Sequence, residues 1–420
     1  MLMRVLHAAV EFAPLVSTGG LGEVLGALPA AQAAAGLDAR LMLPAYGFIA
    51  AAWRDGEEVA RFDVGGLPCR IVRAPHHALP VYFCAIGTLF ARDGDPYRDA
   101  QSREYDDNPE RFAAFCTAVA QFAAVTFKAD VVHLHDWHTG LVPVLLRRLA
   151  PQTRSVYSVH NLAYQGLCDP ARLGLDATLR EAGRRPRQGW SFMAAGVRGS
   201  DCVLTVSPSY AREIQTPAQG CGLDALLRER AAQGALQGIV NGIDTAIWNP
   251  RTDVRLAQRY DSDSVQLAKR VNRAALKAEL GVPASERPLL AFVGRLTEQK
   301  GVDVLVEALR RAPLPLDTVV VGLGDAAIVD AVRGLSREDD RLVFCEVYDS
   351  DLVHRLLAGA DFVVMPSRWE PCGMVQLYAQ CYAAIPVVHA TGGLRDTVVD
   401  ADAEALAAGS ASGIRFDTLD

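Results

Sequence analysis

Two short stretches place reactive side chains where an apolar run gives way to a helical pattern. In VSTGGLGEVLGALPAA, Val16–Ala31, three glycines, two hydroxyls and a carboxylate fall within the seven residues from Ser17 to Glu23. A helix start leaves backbone N–H groups unpaired and carries the positive end of the dipole. Gly19 and Gly20 remove side chains that would keep an anion away. A phosphate or carboxylate fits there, and a plain tight turn fits as well. In PSRWEPCGMVQLYAQ, Pro366–Gln380, an apolar strand pattern is followed by Glu370 and a turn at Cys372 and Gly373. A carboxylate there takes up two sugar hydroxyls and the N–H groups take a diphosphate. A helix start with Glu370 placed for its dipole reads equally well.

Other strand ends carry further polar groups. VGRLTEQKG, Val293–Gly301, puts Arg295 and Lys300 in one loop, and two such cations can clamp a diphosphate; a solvated loop carries them just as often. HLHDWHTG, His133–Gly140, tempts a metal reading, but His133 and His135 share a strand face that Asp136 does not, and no Cys or second carboxylate completes a ligand set. Asp136 is better read as a hydroxyl acceptor. SVHNLAYQG repeats the pattern, with His160 and Asn161 just past a strand.

The elements that position these loops alternate strand and helix. Strand-like runs are Arg4–Val10, Arg40–Leu43, Val81–Ile86, Val131–His135, Ser155–Val159, Cys202–Val206 and Leu236–Val240, then Leu289–Val293, Thr318–Val321, Leu342–Cys345, Phe362–Met365 and Pro386–Val388. Amphipathic stretches such as Pro109–Lys128 and Val304–Arg311 lie between them. Fully apolar strands separated by helices imply α/β architecture with parallel sheets covered on both faces. The pattern pauses at NGIDTAIWNPRTD, Asn241–Asp253, and a charged helix is expected around Ala257–Glu279. Two doubly wound, Rossmann-like domains result, residues 1–245 and 246–420, with ligands at the carboxyl ends of strands. TGGL occurs at Thr18–Leu21 and again at Thr391–Leu394, each before a helical pattern, and the two loops are expected to face each other across an interdomain cleft.

A chain of 420 residues, half of them hydrophobic and 22% charged, is globular and too long for one ordinary core. The net charge of −7 argues against nucleic acid as a partner. Nine scattered cysteines without a CxxC pair read as reduced thiols, not a disulfide framework. No signal-peptide pattern or bilayer-spanning run is present, so a cytoplasmic protein without a membrane partner is expected. GxGxxG is missing from the first strand–helix unit, which weakens a dehydrogenase reading, and GxxxxGK[ST] is missing throughout.

Taken as a set, TGGLGEV, HDWHTGL, HNLAYQG, TVSPSYAREI, NGIDTAIWNP, RLTEQKG, MPSRWEPCGMVQLY and ATGGLRDTV make the chain resemble the bacterial glycogen synthase and plant starch synthase family, retaining glucosyltransferases of the GT-B fold. The resemblance runs from the first strand to the last residue. It implies glucose transfer from ADP-glucose to the non-reducing end of an α-1,4-glucan. Arg295 and Lys300 would hold the diphosphate and Glu370 the donor hydroxyls, with Cys372 and Gly373 beside it. Asp136, His160, Asn161 and Asn241 would complete the sugar pocket, Gly19 and Gly20 would approach the phosphate, and Ser17, Glu23, Thr391 and Gly392 would belong to the same substrate-binding set. Glu370, His160, Arg295 and Lys300 are the catalytic candidates. The resemblance implies no metal and no cofactor. It also implies front-face attack, with the leaving phosphate accepting the acceptor's proton, and closure about the NGID segment limiting donor hydrolysis.

The chain departs from the family pattern in its opening loop, around SFMAAGV and at its end. Ser17 stands where the family has Lys and Glu23 where it has Asp; Ala194 replaces a second Lys; and REAGRRPRQGW differs from the usual segment. A lost charge-assisted contact to phosphate costs about 1.5–3 kcal/mol, or roughly ten- to hundred-fold in binding. Family members also continue past GIRFDTLD, where this sequence ends at Asp420, so the terminal cross-over helices are expected to be lacking. A working synthase and a homologue that binds nucleotide sugar or glucan with little turnover both remain open. So does UDP-glucose as donor.

Overall fold

Strands without a polar face must be covered on both sides, and in both halves of the chain they form the interior of parallel sheets. The computed structural model describes residues 2–76, 79–185, 189–311 and 315–419. Positions 186–188 of the REAGRRPRQGW stretch, and Asp420, lie outside the described residues. The chain divides into two compact units, Met1–Gly242 and Ile243–Asp420.

The first unit contains β1 (Arg4–Ala8), β2 (Asp38–Pro44), β3 (Glu57–Val64), β4 (Leu67–His76), β5 (Leu79–Ile86), β6 (Val131–His135), β7 (Arg154–Val159), β8 (Arg184–Arg185), β9 (Gly189–Trp190), β10 (Cys202–Thr205) and β11 (Leu236–Gly238). One sheet has the order β11-β10-β7-β6-β1-β2-β5-β4-β3, and β8 and β9 pair separately. Its strands are parallel except where β3 and β4 add an antiparallel edge to β5. The second unit contains β12 (Leu289–Val293), β13 (Asp317–Val321), β14 (Leu342–Cys345), β15 (Phe362–Met365), β16 (Ile385–His389) and β17 (Ile414–Phe416), in the order β14-β13-β12-β15-β16-β17. The strand order reverses between β1 and β6 in one sheet and between β12 and β15 in the other. Loops at such switch points open a crevice beyond the carboxyl ends of the strands. Among the described residues, no helix is long and apolar enough to cross a membrane.

Several elements differ from the sequence reading. The first strand ends at Ala8, not Val10, and Leu236–Val240 is paired only to Gly238. The β3–β4 hairpin was not expected: β3 is half exposed, so its polar residues mask the apolar run that marks a buried strand. The helix expected near Ala257–Glu279 begins at Val265. Asp261 Oδ1 accepts from the backbone N–H groups of Asp263 and Ser264, at 3.2 Å each, and so holds the preceding residues in a turn. The stretch Pro109–Lys128 is a helix over Asn108–Gln121 that loosens into a wider turn, Phe122–Phe127, and stops at Lys128 with φ +51°.

Two glycines let the loops of the second sheet touch. Gly301, at φ +65°, lies after β12, and a Cβ there would sit 1.9 Å from the Pro366 carbonyl oxygen after β15. At Gly393 a Cβ would fall 2.3 Å from the Cys372 carbonyl oxygen. The Gly393 N–H instead donates to the Glu370 carbonyl at 2.9 Å. Overpacking costs about 1–3 kcal/mol and a left-handed non-glycine about 1–2 more. Gly301→Ala should therefore lower the unfolding free energy of the full chain by about 2–5 kcal/mol in urea titration. Parent-like stability would remove the close-approach argument.

Candidate active site

In the second unit, three loops at the carboxyl ends of β12, β15 and β16 converge on Glu370. This carboxylate is 5% exposed. Lys300 donates Nζ–H to its Oε2 at 2.5 Å, and the Ser367 hydroxyl donates to the same oxygen at 3.0 Å. His389, at the end of β16, donates from Nδ1 to the Ser367 carbonyl at 2.7 Å. Gln376 is fully buried and donates from Nε2 to the carbonyls of Cys372 and Gly373, at 3.0 Å each, fixing the Glu-Pro-Cys-Gly turn. Gly373 itself has φ +74°. Arg295 is exposed and reaches Gln299 Oε1 at 3.2 Å. Thr391 is buried, and Gly392 opens the short helix Gly392–Thr397. The sequence expectation of Lys300 on a diphosphate thus meets a different first partner, the carboxylate of Glu370. An ammonium has three N–H donors, so two remain.

In the first unit the opening loop leads into the helix Gly20–Ala34, which has no side-chain cap at its start. Gly19 is extended, at φ −178°, and a Cβ there would meet no protein atom, so glycine keeps this space clear. The loop is held by Glu11, a buried residue the sequence reading missed. Glu11 Oε2 accepts from the Thr18 N–H at 2.7 Å, and Oε1 accepts from the Thr18 hydroxyl at 2.6 Å and the Tyr97 hydroxyl at 2.5 Å. Nothing in the spacing of Glu11 and Tyr97 signals this pairing. Ser17 is half-buried and donates only a long bond, 3.4 Å, to the Gly19 carbonyl. Burial pushes the Glu23 carboxyl above its ordinary range. Ala194, at the second family Lys position, is wholly buried in the helix Phe192–Gly199 and takes the Ser191 cap on its N–H.

Asp136 links two strand ends. It has φ +56° and accepts at Oδ1 from the backbone N–H groups of His160 at 2.7 Å and Asn161 at 3.4 Å. Burial raises its pKa to about 7. Its first role is therefore to set the loop after β7, beyond the hydroxyl acceptance read from sequence. Asn161 uses its side-chain carbonyl on the Ala163 N–H at 3.1 Å. Asn241 lies in the loop after β11.

The sequence reading found no ligand set around HLHDWHTG, yet the fold supplies a third histidine. His7 on β1 joins His133 and His135, and one nitrogen of each ring lies within 4.8 Å of the others. The geometry does not suit a metal. The ring centroids of His133 and His135 lie 4.3 Å apart and those of His7 and His135 5.4 Å, and His135 spends both nitrogens on hydrogen bonds to His7 and His160. His7 Nε2 is also engaged by Gln32 and His133 Nε2 by Ser158. The His138 ring is packed between Trp137 and Phe112, and neither of its nitrogens has a hydrogen-bond partner among the described residues.

Burial lowers His7 and His160 to about 4 and pushes His133 and His135 well below the ordinary range. An unfolded chain takes up these protons near pH 6.5. Stability is thus fully present above about pH 6.5 and is lost as pH falls towards about 4. Asp136 acts oppositely, losing stability as pH rises from about 4 to about 7, and the raised Glu23 carboxyl acts in the same direction, but these are two groups against four. We expect unfolding free energy to fall steeply from pH 6.5 to 4, and His133→Asn to flatten that slope in urea titrations. Equal slopes would assign the acid sensitivity elsewhere.

Residues 4–229 match the family model for the starch synthase catalytic domain, and residues 275–412 match glycosyl transferases group 1. The glycogen synthase of Yersinia enterocolitica is 42% identical over 428 residues, spanning 100% of this chain and 90% of its own. Among solved structures, the catalytic domain of starch synthase IV from Arabidopsis thaliana, bound to ADP and acarbose, superposes with a TM-score of 0.89 at 30% identity, covering 100% of this chain and 89% of that one. Sucrose-phosphate synthase from Thermosynechococcus elongatus shares the fold, with a TM-score of 0.60 at 19% identity over 100% of this chain and 86% of its own. With both halves matched and the strand order of two doubly wound sheets in place, the chain belongs to the starch and glycogen synthase family of glucosyltransferases.

Proposed function

We propose that this chain transfers glucose from ADP-glucose to the non-reducing 4-hydroxyl of an α-1,4-glucan with retention of configuration. The observation that carries the reading is the buried Glu370, held by Lys300 and the buried Ser367 at a switch point. With Oε2 held by an ammonium and a hydroxyl, Glu370 is a poor nucleophile, and its Oε1 is left to accept hydroxyl hydrogens from the donor glucose. Retention then follows front-face attack. The acceptor oxygen bonds to the anomeric carbon, the bond from that carbon to the diphosphate breaks, and the acceptor's proton passes to the departing phosphate. Lys300 and Arg295 neutralise the diphosphate as charge develops, and the N–H groups at Cys372 and Gly373, with Thr391 and Gly392, line its approach. On the first unit, Gly19, Gly20 and the uncapped helix start take a phosphate, with Ser17 and Glu23 at its margin. Asp136, His160, Asn161 and Asn241 contact the sugars.

Ser17 and Ala194 favour a second reading, in which nucleotide sugar or glucan binds with little turnover. Both positions lack the family's cation, and the buried Ala194 has no polar atom to offer. The same chemistry with UDP-glucose is a variant of the first reading.

Glucose transfer from labelled ADP-glucose to glycogen separates them. We expect measurable transfer by the parent and loss of about a hundredfold or more in Glu370→Ala, which leaves the Lys300 ammonium unpaired at the reacting centre. Ser17→Lys should raise kcat/KM for ADP-glucose by about ten- to hundredfold. A silent parent that still binds glucan, with no recovery in Ser17→Lys, would favour the binding protein. Transfer with UDP-glucose alone would change the donor.

A further inference from the structure

The histidines at the carboxyl edge of the first sheet form a directed chain. Gln32, on the helix Gly20–Ala34, places Oε1 2.7 Å from His7 Nε2. His7 Nδ1 lies 3.1 Å from His135 Nε2, and His135 Nδ1 lies 3.0 Å from His160 Nε2. The rings step across three neighbouring strands because β1, β6 and β7 are adjacent and parallel. His133 lies beside this chain, bonded to the Ser158 hydroxyl at 2.8 Å.

The direction follows from donor and acceptor counting. An amide oxygen only accepts, so His7 carries its proton on Nε2. A neutral imidazole has one N–H and one lone pair, and the bond at one nitrogen sets the state of the other. His7 Nδ1 therefore accepts from His135 Nε2–H, and His135 Nδ1 accepts from His160 Nε2–H. His160 is left with its lone pair on Nδ1, and no group among the described residues pairs with that nitrogen. Reversing the order requires a proton shift on three rings and a turned amide together.

We propose that Gln32, His7 and His135 are positioning residues that hold His160 in its Nε2–H tautomer, so that Nδ1 presents a lone pair to a hydroxyl of the donor sugar. The proposal rests on the reading of His160 as a donor-sugar contact. It assigns specificity as well: a hydroxyl at that point has a hydrogen to give, whereas a carboxylate or ether oxygen has none and meets a second lone pair.

Gln32 is half-buried on a helix and stands apart from the catalytic groups, so it can be changed without emptying the core. In Gln32→Glu the carboxylate still only accepts and the order is kept. In Gln32→Leu the anchor is lost and both tautomers become accessible. With the full chain selectively labelled with 15N-histidine, long-range nitrogen–proton correlation spectra read the tautomer of His160 without substrate. We expect Nε2–H in the parent and in Gln32→Glu, and a mixture in Gln32→Leu. We also expect kcat with ADP-glucose to fall about three- to tenfold in Gln32→Leu, with KM for glycogen unchanged, and to stay near parental in Gln32→Glu. A parent spectrum with the proton on Nδ1 overturns the proposal. So does a tautomer mixture in Gln32→Leu that leaves kcat intact. If the parent transfers no glucose from either donor, the functional reading fails, and the spectrum alone judges the histidine chain.

Discussion

A charged or strongly polar group taken out of water must find a partner, and at the carboxyl ends of these two sheets that requirement shapes nearly every loop. Glu370 is almost wholly buried and is matched by the Lys300 ammonium and the Ser367 hydroxyl. Glu11 is matched by Thr18 and Tyr97, and Asp136 by two backbone N–H groups of the next loop. Lys300 with Glu370, Tyr97 with Glu11 and His160 with Asp136 join segments far apart in sequence. A carboxylate without its partners would ionise only at a high cost, so the loops have few other arrangements open to them. The same pairings leave one oxygen or nitrogen of a site residue turned to another use, as with the second oxygen of Glu370.

Backbone chemistry makes these approaches physically possible. Gly301 allows the loop after β12 to lie against the Pro366 carbonyl, which brings Lys300 within reach of Glu370. Gly393 lies against the backbone of Cys372 and donates its N–H to the Glu370 carbonyl. Asp136 accepts a left-handed backbone, at φ +56°, and in return orders His160 and Asn161. Strain held at one residue is outweighed by hydrogen bonds to the next strand end, a common arrangement where a site is organised in advance of its ligand.

The sequence made legible what depends on local pattern. Continuous apolar runs marked the interior strands, since a strand buried on both faces admits no polar alternation, and strand–helix alternation fixed the parallel arrangement. Glu370, Lys300 and the TGGL loops were found because a strand end followed by a helix start is visible over fifteen or so residues. The β3–β4 hairpin escaped because its exposed, charged face breaks the apolar run. Glu11, Tyr97, His7 and Gln32 escaped for another reason. Their meaning lies in tertiary pairing, by cross-strand register for His7 beside His133 and by loop or helix packing for Glu11, Tyr97 and Gln32, and no one-dimensional spacing encodes which segments become neighbours.

The histidine cluster shows how register converts ordinary residues into a device. Alone, His7 is a core imidazole and Gln32 a half-buried helix amide. Once β7, β6 and β1 lie side by side, their rings fall within hydrogen-bond distance, and burial keeps all of them neutral. Neutral imidazoles in series have only two self-consistent orders, so a single amide at one end selects the state of the ring at the other. A metal would demand free lone pairs converging on a point, whereas Nε2 and Nδ1 of His7, both nitrogens of His135 and Nε2 of His133 are engaged in hydrogen bonds. The nitrogens that a metal would need are spent on the chain of donors and acceptors, and the two uses of a histidine cluster are thus separated by what each nitrogen bonds and not by composition.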